Sequence, residues 1–186
     1  NNYGVGLPVQ GVNGSNWYLI QPRLADASLK PAPADIQATV AHVANTLLIR
    51  KSSPLFRLQT EADIMARLKF YNTGPQQIPG LIVMSLSDKV NGLPDLDPTW
   101  EEVLVFFNAS DEQVVFAHPD FINQQFGLHP NEAANLTARA AGFDPATGRF
   151  TVPPLGKVTF VQNTPTALDT VDEPQNQKLF LPMIDR

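Results

Sequence analysis

The chain changes its periodicity across residues 49–58, and this change constrains the fold more than any other feature. Before this stretch, apolar residues recur at helical spacing, and after it short segments alternate in the manner of strands. Pro54 has no backbone N–H, and it disfavours the α conformation at Ser53. A helix that arrives from the N-terminal side should therefore end at residues 51–52, so the stretch predicts a junction between a helix and a β-rich region.

Residues 34–50 are predicted to form one amphipathic helix. Pro33 suits the first turn of a helix, and Arg50 with Lys51 suits the negative end of its dipole. The apolar side chains that share one face are Ile36, Val40, Val43, Leu47 and Leu48.

The region after the junction is predicted to hold a short helix followed by about six strands. The helix covers residues 61–67, with Thr60 as N-cap and Asp63 in a position like that of a capping box. The strands are rich in β-branched and aromatic residues and lie at 68–71, 81–86, 103–107, 114–117, 149–152 and 158–161. Many short strands without helices between them favour an antiparallel β-sandwich, so the fold class is mainly β.

The two ends of the chain look different from its middle. Residues 1–33 are punctuated by Gly, Asn and Pro and are predicted to be a long irregular segment. Loops of that length are uncommon in a compact domain unless they are functional or belong to a larger structure. Residues 163–186 are polar and punctuated by proline, and we expect a disordered or loosely docked tail. A linker towards a further module or a surface anchor is the functional alternative. For residues 131–141 the sequence leaves two alternatives, a helical turn or an irregular excursion between strands.

Composition excludes several classes of protein. A hydrophobic content of 43% and a charged content of 17% in 186 residues are typical of a globular protein. The net charge of −5 argues against a nucleic-acid partner, and no apolar run approaches the ~18 residues that a membrane span requires. The chain has no cysteine, which excludes disulfides and thiolate metal sites. Cysteine usage leaves the compartment open, and an extracellular or cell-surface bacterial protein is the expectation.

The junction and the strands after it carry a family resemblance. The motifs that match are NNYGVGLP at 1–8, NW at 16–17, KPAPADI at 30–36, SSPLFRL at 52–58, FYNTGP at 70–75, IPGLIVMS at 78–85, FGLHP at 126–130 and TGRFTVP at 147–153. In this order they resemble the C-terminal region of pullulanase-type α-1,6-glucosidases and limit dextrinases, which are starch-debranching enzymes of glycoside hydrolase family 13. The resemblance covers about residues 1–162 and leaves the tail outside it.

This resemblance implies a domain organisation. In such enzymes a (β/α)8 barrel carries catalysis and is followed by an antiparallel β-sandwich. Residues 1–51 then look like the last connection and final helix of the barrel, residues 52–162 look like the sandwich, and residues 163–186 are the tail. The parent enzyme would hydrolyse α-1,6 linkages in pullulan, amylopectin or limit dextrins. The chain would stabilise the barrel and, by itself, be inactive.

The resemblance also assigns candidate site residues. None of the catalytic carboxylates of such enzymes maps onto this chain. Asn2 and Tyr3 open a loop that resembles the one leaving the last barrel strand, which implies proximity to substrate. Pro54 is expected to end the last barrel-type helix. Three further residues of the junction are expected to hold the sandwich against that helix: Leu55, Phe56 and Leu58.

The remaining polar and aromatic residues carry weaker signals. Asp95, Asp97, Glu101 and Glu102 are interpreted as solvated acids at turns, and Asp95 with Asp97 alone is a poor basis for a calcium site. No cofactor is expected. The histidines lie far apart in sequence and show no metal spacing: His42, His118 and His129. Trp17 and Trp100 could stack on sugar rings, but burial against a neighbouring element is favoured.

Two alternatives to a barrel-supporting domain stay open. An independent α-glucan-binding module would require exposed aromatic residues on the sandwich. A structural or oligomerisation domain would follow from the apolar surface of residues 34–51. The expected partners are the parent barrel, α-glucan through the parent and, if no barrel precedes the chain, a second copy.

Overall fold

The computed structural model describes residues 6–164, and the backbone divides into two compact units, Asn1–Arg50 and Lys51–Arg186. The first unit is helical. Its α-helices are α1 (Gln10–Asn13), α2 (Trp17–Ala25) and α3 (Pro33–Ser52), the last of which continues into the second unit. Single 3-10 turns at Gly14–Asn16 and Ala27–Leu29 connect them.

Helix α2 corrects the prediction that residues 1–33 are irregular, at least for the part of that segment that the structure describes. Pro22 lies inside this nine-residue helix. Proline removes one intrahelical hydrogen bond and causes a local clash, but it does not by itself end a helix whose other residues are favourable. The guanidinium of Arg23 also donates to the Leu19 carbonyl oxygen, one turn earlier, at 2.6 Å, which adds a hydrogen bond across the turn that contains Pro22.

Helix α3 confirms the predicted amphipathic helix and its end point. Ser53 leaves the helix in an extended conformation, with φ −133° and ψ 135°, as the following proline requires. The predicted apolar stripe is on the surface: Val40, Val43 and Leu47 are 63%, 51% and 58% exposed. Among residues 6–50, the part of the first unit that the structure describes, Ile49 alone is buried.

Helix α4 (Glu61–Arg67) has the predicted bounds and cap. The hydroxyl oxygen of Thr60 accepts from the backbone N–H of Asp63 at 3.1 Å. The Asp63 carboxylate in turn accepts from the Thr60 hydroxyl at 2.6 Å, because its side chain is one methylene shorter than the glutamate of a capping box.

The second unit is an antiparallel sandwich of two sheets, which confirms the predicted fold class. Its strands are β1 (Leu68–Phe70), β2 (Leu81–Ser87), β3 (Trp100–Asn108), β4 (Val114–Ala117), β5 (Gly127–Leu128), β6 (Gly142–Asp144), β7 (Arg149–Val152) and β8 (Gly156–Asn163). One sheet has the order β1-β2-β3-β8-β5 and the other β4-β7-β6. The six predicted strands are all present. Sequence reasoning missed β5 and β6. They are two and three residues long, which is too short to show the alternation of apolar and polar residues that marks a strand.

Residues 131–141 form 3-10 turns, at Pro130–Ala134 and Ala138–Ala140, which resolves the alternative left open by the sequence. A further 3-10 turn, Pro119–Phe121, follows β4. The tail predicted at 163–186 lies outside the described residues, except that Asn163 ends β8.

The core lies between the sheets and is built from aromatic rings. Phe150 is fully buried and contacts Phe106 and Phe160, with ring centroids at 4.8 Å and 5.0 Å. Alternation along β3 sends Leu104 and Phe106 to this core and the neighbouring valines to the outer face of the five-stranded sheet. That outer face buries a second cluster around Val103 and Val105.

The β6–β7 hairpin has one position that requires glycine. Gly148 has φ +63°, and a Cβ there would lie 2.6 Å from the carbonyl oxygen of His118. Both the backbone conformation and the close approach exclude a larger residue.

None of the helices within residues 6–164 combines the length and the hydropathy needed to cross a membrane.

The core predicts a sharp contrast between two neighbouring phenylalanines. We expect Phe106→Ala to lower the free energy of unfolding by about 3–5 kcal/mol, because it leaves a cavity between the sheets. Phe107→Ala is the matched control, since Phe107 is 41% exposed and points to the opposite face. Urea unfolding followed by circular dichroism measures both; equal losses would contradict the assignment of the core.

Candidate functional site

The junction after α3 is held by a buried serine. Ser53 is fully buried; its hydroxyl donates to a carboxylate oxygen of Asp97 and accepts from the backbone N–H of Leu55 at 3.1 Å. The chain then makes a 3-10 helix, Pro54–Arg57, with proline in its first turn. Ser53 thus caps this turn and also ties it to the loop before β3.

The residues expected at the domain seam pack on the outer face of the five-stranded sheet. Leu55 is 1% exposed and belongs to the cluster of Leu86, Val103, Val105 and Val161. Phe56 and Leu58 are partly buried against the same cluster, and Pro54 is partly exposed. The structure therefore brings the junction residues together on the sandwich, while their role towards a barrel helix stays a prediction.

A buried ion pair lies beneath this junction. Arg67, 1% exposed at the end of α4, pairs through Nη1 with the Asp88 carboxylate, which is 5% exposed and follows β2. Arg67 Nη2 also donates to the Pro94 carbonyl oxygen at 2.6 Å, and its Nε lies 3.5 Å from Asp63 Oδ1. Burial of both charges is tolerated because each has several partners.

The second oxygen of Asp88 organises the loop between β2 and β3. Asp88 Oδ2 accepts from the backbone N–H groups of Leu96 and Asp97 at 2.8 Å and 2.7 Å. Asp97 Oδ1 then accepts from the N–H groups of Thr99 and Trp100 at 2.8 Å and 3.2 Å. The two carboxylates therefore link α4, the loop, the junction and the start of β3 in one network.

This network corrects the interpretation of Asp97 as a solvated acid. Asp97 is 3% exposed, whereas Asp95 is exposed as expected. Glu102 is also largely removed from water, and burial is the main cause that raises the pKa of its carboxyl. Glu101 is partly exposed and pairs with Lys89 at 2.9 Å. Within residues 6–164, no group of three or more acidic or histidine side chains is placed to hold a metal ion.

A second buried polar cluster surrounds His129, which is 2% exposed. Its Nδ1 accepts from the backbone N–H of Asn131 at 3.1 Å, so in the neutral ring Nε2 carries the proton and faces the Ser52 hydroxyl at 2.9 Å. Burial lowers the pKa of His129, and the nearby Glu132 carboxylate opposes this effect. Glu132 is fully buried and pairs with Lys157 at 2.6 Å.

The other two histidines and Trp17, which the sequence also singled out, have other contacts in the described part of the chain. Asn2 and Tyr3 lie outside the described residues. His42 lies on α3 in the first unit, and His118 packs its ring against Tyr71 at 4.8 Å between centroids. Trp17 is partly exposed, and its Nε1 donates to the Pro8 carbonyl oxygen at 2.9 Å.

Trp100 lies at the rim of a groove on the sandwich. The indole is partly buried beside the cluster of Val103 and Val105, and its ring centroid is 5.8 Å from that of His129. The groove has a volume of about 580 Å³ and runs past the end of β5 to the last residues of β8. Polar side chains of Lys89, Gln125, Gln162 and Thr164 share its walls with Trp100.

Comparison with known proteins decides the family. The family model described as "Alpha-1,6-glucosidases, pullulanase-type, C-terminal" matches residues 1–163. The chain belongs to this family. The resemblance noted in the sequence is thereby confirmed.

Individual relatives of this pullulanase-type C-terminal domain agree. The chain is 42% identical over 168 residues to "Pullulanase 1, chloroplastic" of Arabidopsis thaliana, which covers 88% of the chain and 17% of that protein. A pullulanase of Klebsiella pneumoniae is 36% identical over 112 residues, 60% of the chain and 10% of that protein. The chain thus spans less than a fifth of the length of these relatives.

Solved structures show the same fold. The crystal structure of PulA from Klebsiella oxytoca matches 87% of the chain and 15% of its own length, with a TM-score of 0.72 and 26% identity. A maltotriose complex of PulA from Klebsiella pneumoniae matches 86% of the chain and 17% of its own length, with a TM-score of 0.71 and 27% identity.

Sequence reasoning missed the buried charges of this pullulanase-type domain. Arg67, Asp88 and Glu132 stand in polar stretches that look like solvent-exposed helix ends and turns. The one local signal is that Arg67 closes a capped helix directly before a strand, which leaves its long side chain at the edge of the sheet. Burial itself depends on which loop covers that edge, and the loop is distant in sequence.

The ion pair predicts a large effect of a single substitution. We expect Asp88→Ala to lower the free energy of unfolding by about 3–5 kcal/mol, because Arg67 would stay buried without its counter-charge. The control is Asp120→Ala, which breaks the surface pair with Lys69, whose two side chains are 47% and 56% exposed. That pair should contribute no more than about 1 kcal/mol. Urea denaturation of both variants measures the difference; a loss at Asp88 as small as at Asp120 would contradict the network.

His129 predicts a pH dependence of stability. The unfolded chain binds a proton at the ordinary histidine pKa of about 6.5, whereas burial lowers the pKa of folded His129. The free energy of unfolding should therefore be fully maintained above that pH, fall as the pH drops below it, and level off below the lowered pKa.

The measurement is urea unfolding between about pH 8 and pH 5, compared with His129→Gln, which cannot titrate in this range. The comparison separates His129 from the other buried acids and bases, among them Glu102. An identical pH dependence in the variant would show that His129 is not responsible.

Proposed function

We propose that this chain is the non-catalytic C-terminal part of a pullulanase-type enzyme and that it stabilises the catalytic barrel of that enzyme. The parent enzyme would hydrolyse α-1,6-glucosidic linkages in pullulan, amylopectin or limit dextrins. The observation that carries the proposal is the apolar stripe of α3. Val40, Val43 and Leu47 are more than half exposed on a helix whose unit, within residues 6–50, buries Ile49 alone.

The exposed stripe needs a partner for physical reasons. Burial of apolar surface contributes roughly 25 cal/mol per Å², so a row of exposed aliphatic residues on one helix face favours association. A catalytic barrel preceding the chain is the partner favoured by the family and by the length of the relatives. The family match extends through residues 1–163 and therefore includes α3.

The buried carboxylates support a non-catalytic role. Glycosidase chemistry typically needs two carboxyl groups that face each other across the scissile bond with room for a sugar between them. Asp88, Asp97 and Glu132 are instead occupied by Arg67, by backbone N–H groups and by Lys157. These contacts hold the fold together, and we infer that the three carboxylates serve the structure of the domain.

The residues after α3 pack tightly on the sandwich, which would help it to support the barrel. Leu55, Phe56 and Leu58 attach the chain to the outer face of the five-stranded sheet immediately after α3 ends. Ser53 adds a buried hydrogen bond at the same point. These contacts anchor the first residues after α3 on the sandwich.

The first test is activity. The purified chain should release no reducing sugar from pullulan above a mock preparation, and release above that level would refute the non-catalytic assignment. The second test uses the parent enzyme. Leu47→Asp should lower the temperature at which half the activity is lost by several degrees, because it places a charge in the proposed contact with the barrel.

The matched control is Ala38→Asp, which introduces the same charge on α3 about half a turn away from the stripe, at an exposed position. It should leave thermal inactivation unchanged. Equal effects of the two variants would contradict a barrel contact at the stripe. A stable dimer of the isolated chain in light scattering that Leu47→Asp abolishes would instead favour self-association.

A further inference from the structure

The groove beside Trp100 has the size and chemistry of a ligand site. Its volume of about 580 Å³ falls within the ~300–1,000 Å³ that small-molecule sites typically occupy. It lies in the second unit, on the sandwich, and none of the junction or core residues described above except Trp100 and Val161 lines it. Its walls combine an aromatic ring with a few polar side chains, the usual composition of such a site.

The polar side chains of the groove are held in place by one another. Lys89 Nζ lies 2.9 Å from Glu101 Oε2 and donates to Gln162 Oε1 at 2.8 Å. Gln162 Nε2 in turn donates to Gln124 Oε1 at 3.1 Å. A ligand that met these groups would find them already ordered, which lowers the entropic cost of binding.

The charges of the groove favour a neutral ligand. Among the described residues that line the groove, the cation Lys89 is paired with the anion Glu101, so these residues offer no excess charge for a phosphate or a carboxylate. Amide and hydroxyl groups of Gln125, Asn163 and Thr164 supply both donors and acceptors. The buried hydroxyl oxygen of Thr164 has no hydrogen-bond partner within the described part of the chain.

The chemistry that matches is that of a sugar. A pyranose presents an apolar face of C–H groups and a rim of hydroxyls, each of which donates and accepts. An indole beside amide side chains is complementary to both parts. Asn163 and Thr164 also extend the β8 edge beyond β5, which pairs with Phe160 and Val161. Within the described residues this part of the edge has no partner strand on the β5 side, which suits a chain of sugars.

We propose that this groove, formed by Trp100, Gln125, Gln162 and Thr164, is a binding subsite for a short stretch of α-glucan chain. The choice of α-glucan rests on the proposed function, because the parent enzyme would act on that polymer. The site would hold a segment of the substrate on the sandwich and so raise the local concentration of substrate.

The test reads the fluorescence of Trp100 in the full chain. The protein has two tryptophans, Trp17 and Trp100, so Trp17→Phe leaves Trp100 as the sole indole. Titration of this variant with maltoheptaose should give a saturable change in emission. The converse variant, Trp100→Phe, retains Trp17 and should give none. No saturable change in Trp17→Phe would overturn the proposal.

A second variant keeps the test independent of the packing role of Trp100. Gln125 is exposed and lines the groove, and Gln125→Ala in the Trp17→Phe background should weaken maltoheptaose binding several-fold without unfolding the chain. Gln113→Ala is the matched control, because Gln113 is also exposed, in the loop before β4, and is not among the residues that line the groove. Equal affinities of the two variants would contradict the site.

The ligand class is tested with cellohexaose as a second probe. A response to maltoheptaose at least about tenfold stronger than to cellohexaose is expected, since the linkage sets the curvature of the chain; equal responses would contradict α-glucan as the ligand. The assay is independent of the barrel. Loss of glucan binding would leave a barrel-stabilising role intact, whereas failure of the Leu47→Asp test would leave the fluorescence result unchanged.

Discussion

The ion pair between Arg67 and Asp88 joins the end of α4 to the loop between β2 and β3, and the start of the sandwich depends on it. Two charges removed from water are tolerated when they neutralise each other and most of their remaining hydrogen-bonding groups have partners. Asp88 meets this requirement by accepting from Arg67 and from the N–H groups of Leu96 and Asp97. The loop between β2 and β3 therefore takes its shape from a carboxylate that it surrounds.

The same loop also positions residues of both surfaces that we propose to be functional, the junction after α3 and the groove beside Trp100. Asp97, positioned by Asp88, accepts from Ser53 at the junction and from the backbone N–H of Trp100 at the start of β3. Ser53 ties the end of α3 to the sheet, and Trp100 forms a wall of the groove. Support of a barrel and attachment of a glucan chain, as proposed, would thus both rely on the buried network of Arg67, Asp88, Asp97 and Ser53.

How well the sequence predicted each element depended on how local its signals are. The helical spacing of apolar residues along α3 and the Thr60 cap of α4 are local signals. Both helices have nearly the predicted bounds. The sequence does not predict α2, because the Gly, Asn and Pro residues in this segment, Pro22 among them, are typical of irregular structure. Strands β5 and β6 were missed because two or three residues show no alternation, and they are strands only through pairing with β8 and β7.

The sequence by itself determined the family, the antiparallel character of the sandwich and the point where the helix gives way to it, because motifs, hydrophobic period and proline act over a few neighbouring residues. Only the tertiary structure decided which charged residues are buried and where the groove lies. Arg67 and Asp88 are 21 residues apart in the sequence. Trp100 is the first residue of β3, whereas Gln125 lies in the loop before β5. A side chain becomes a buried ion pair or a wall of a binding site only when distant segments close over it, and that closure is set by packing of the whole core.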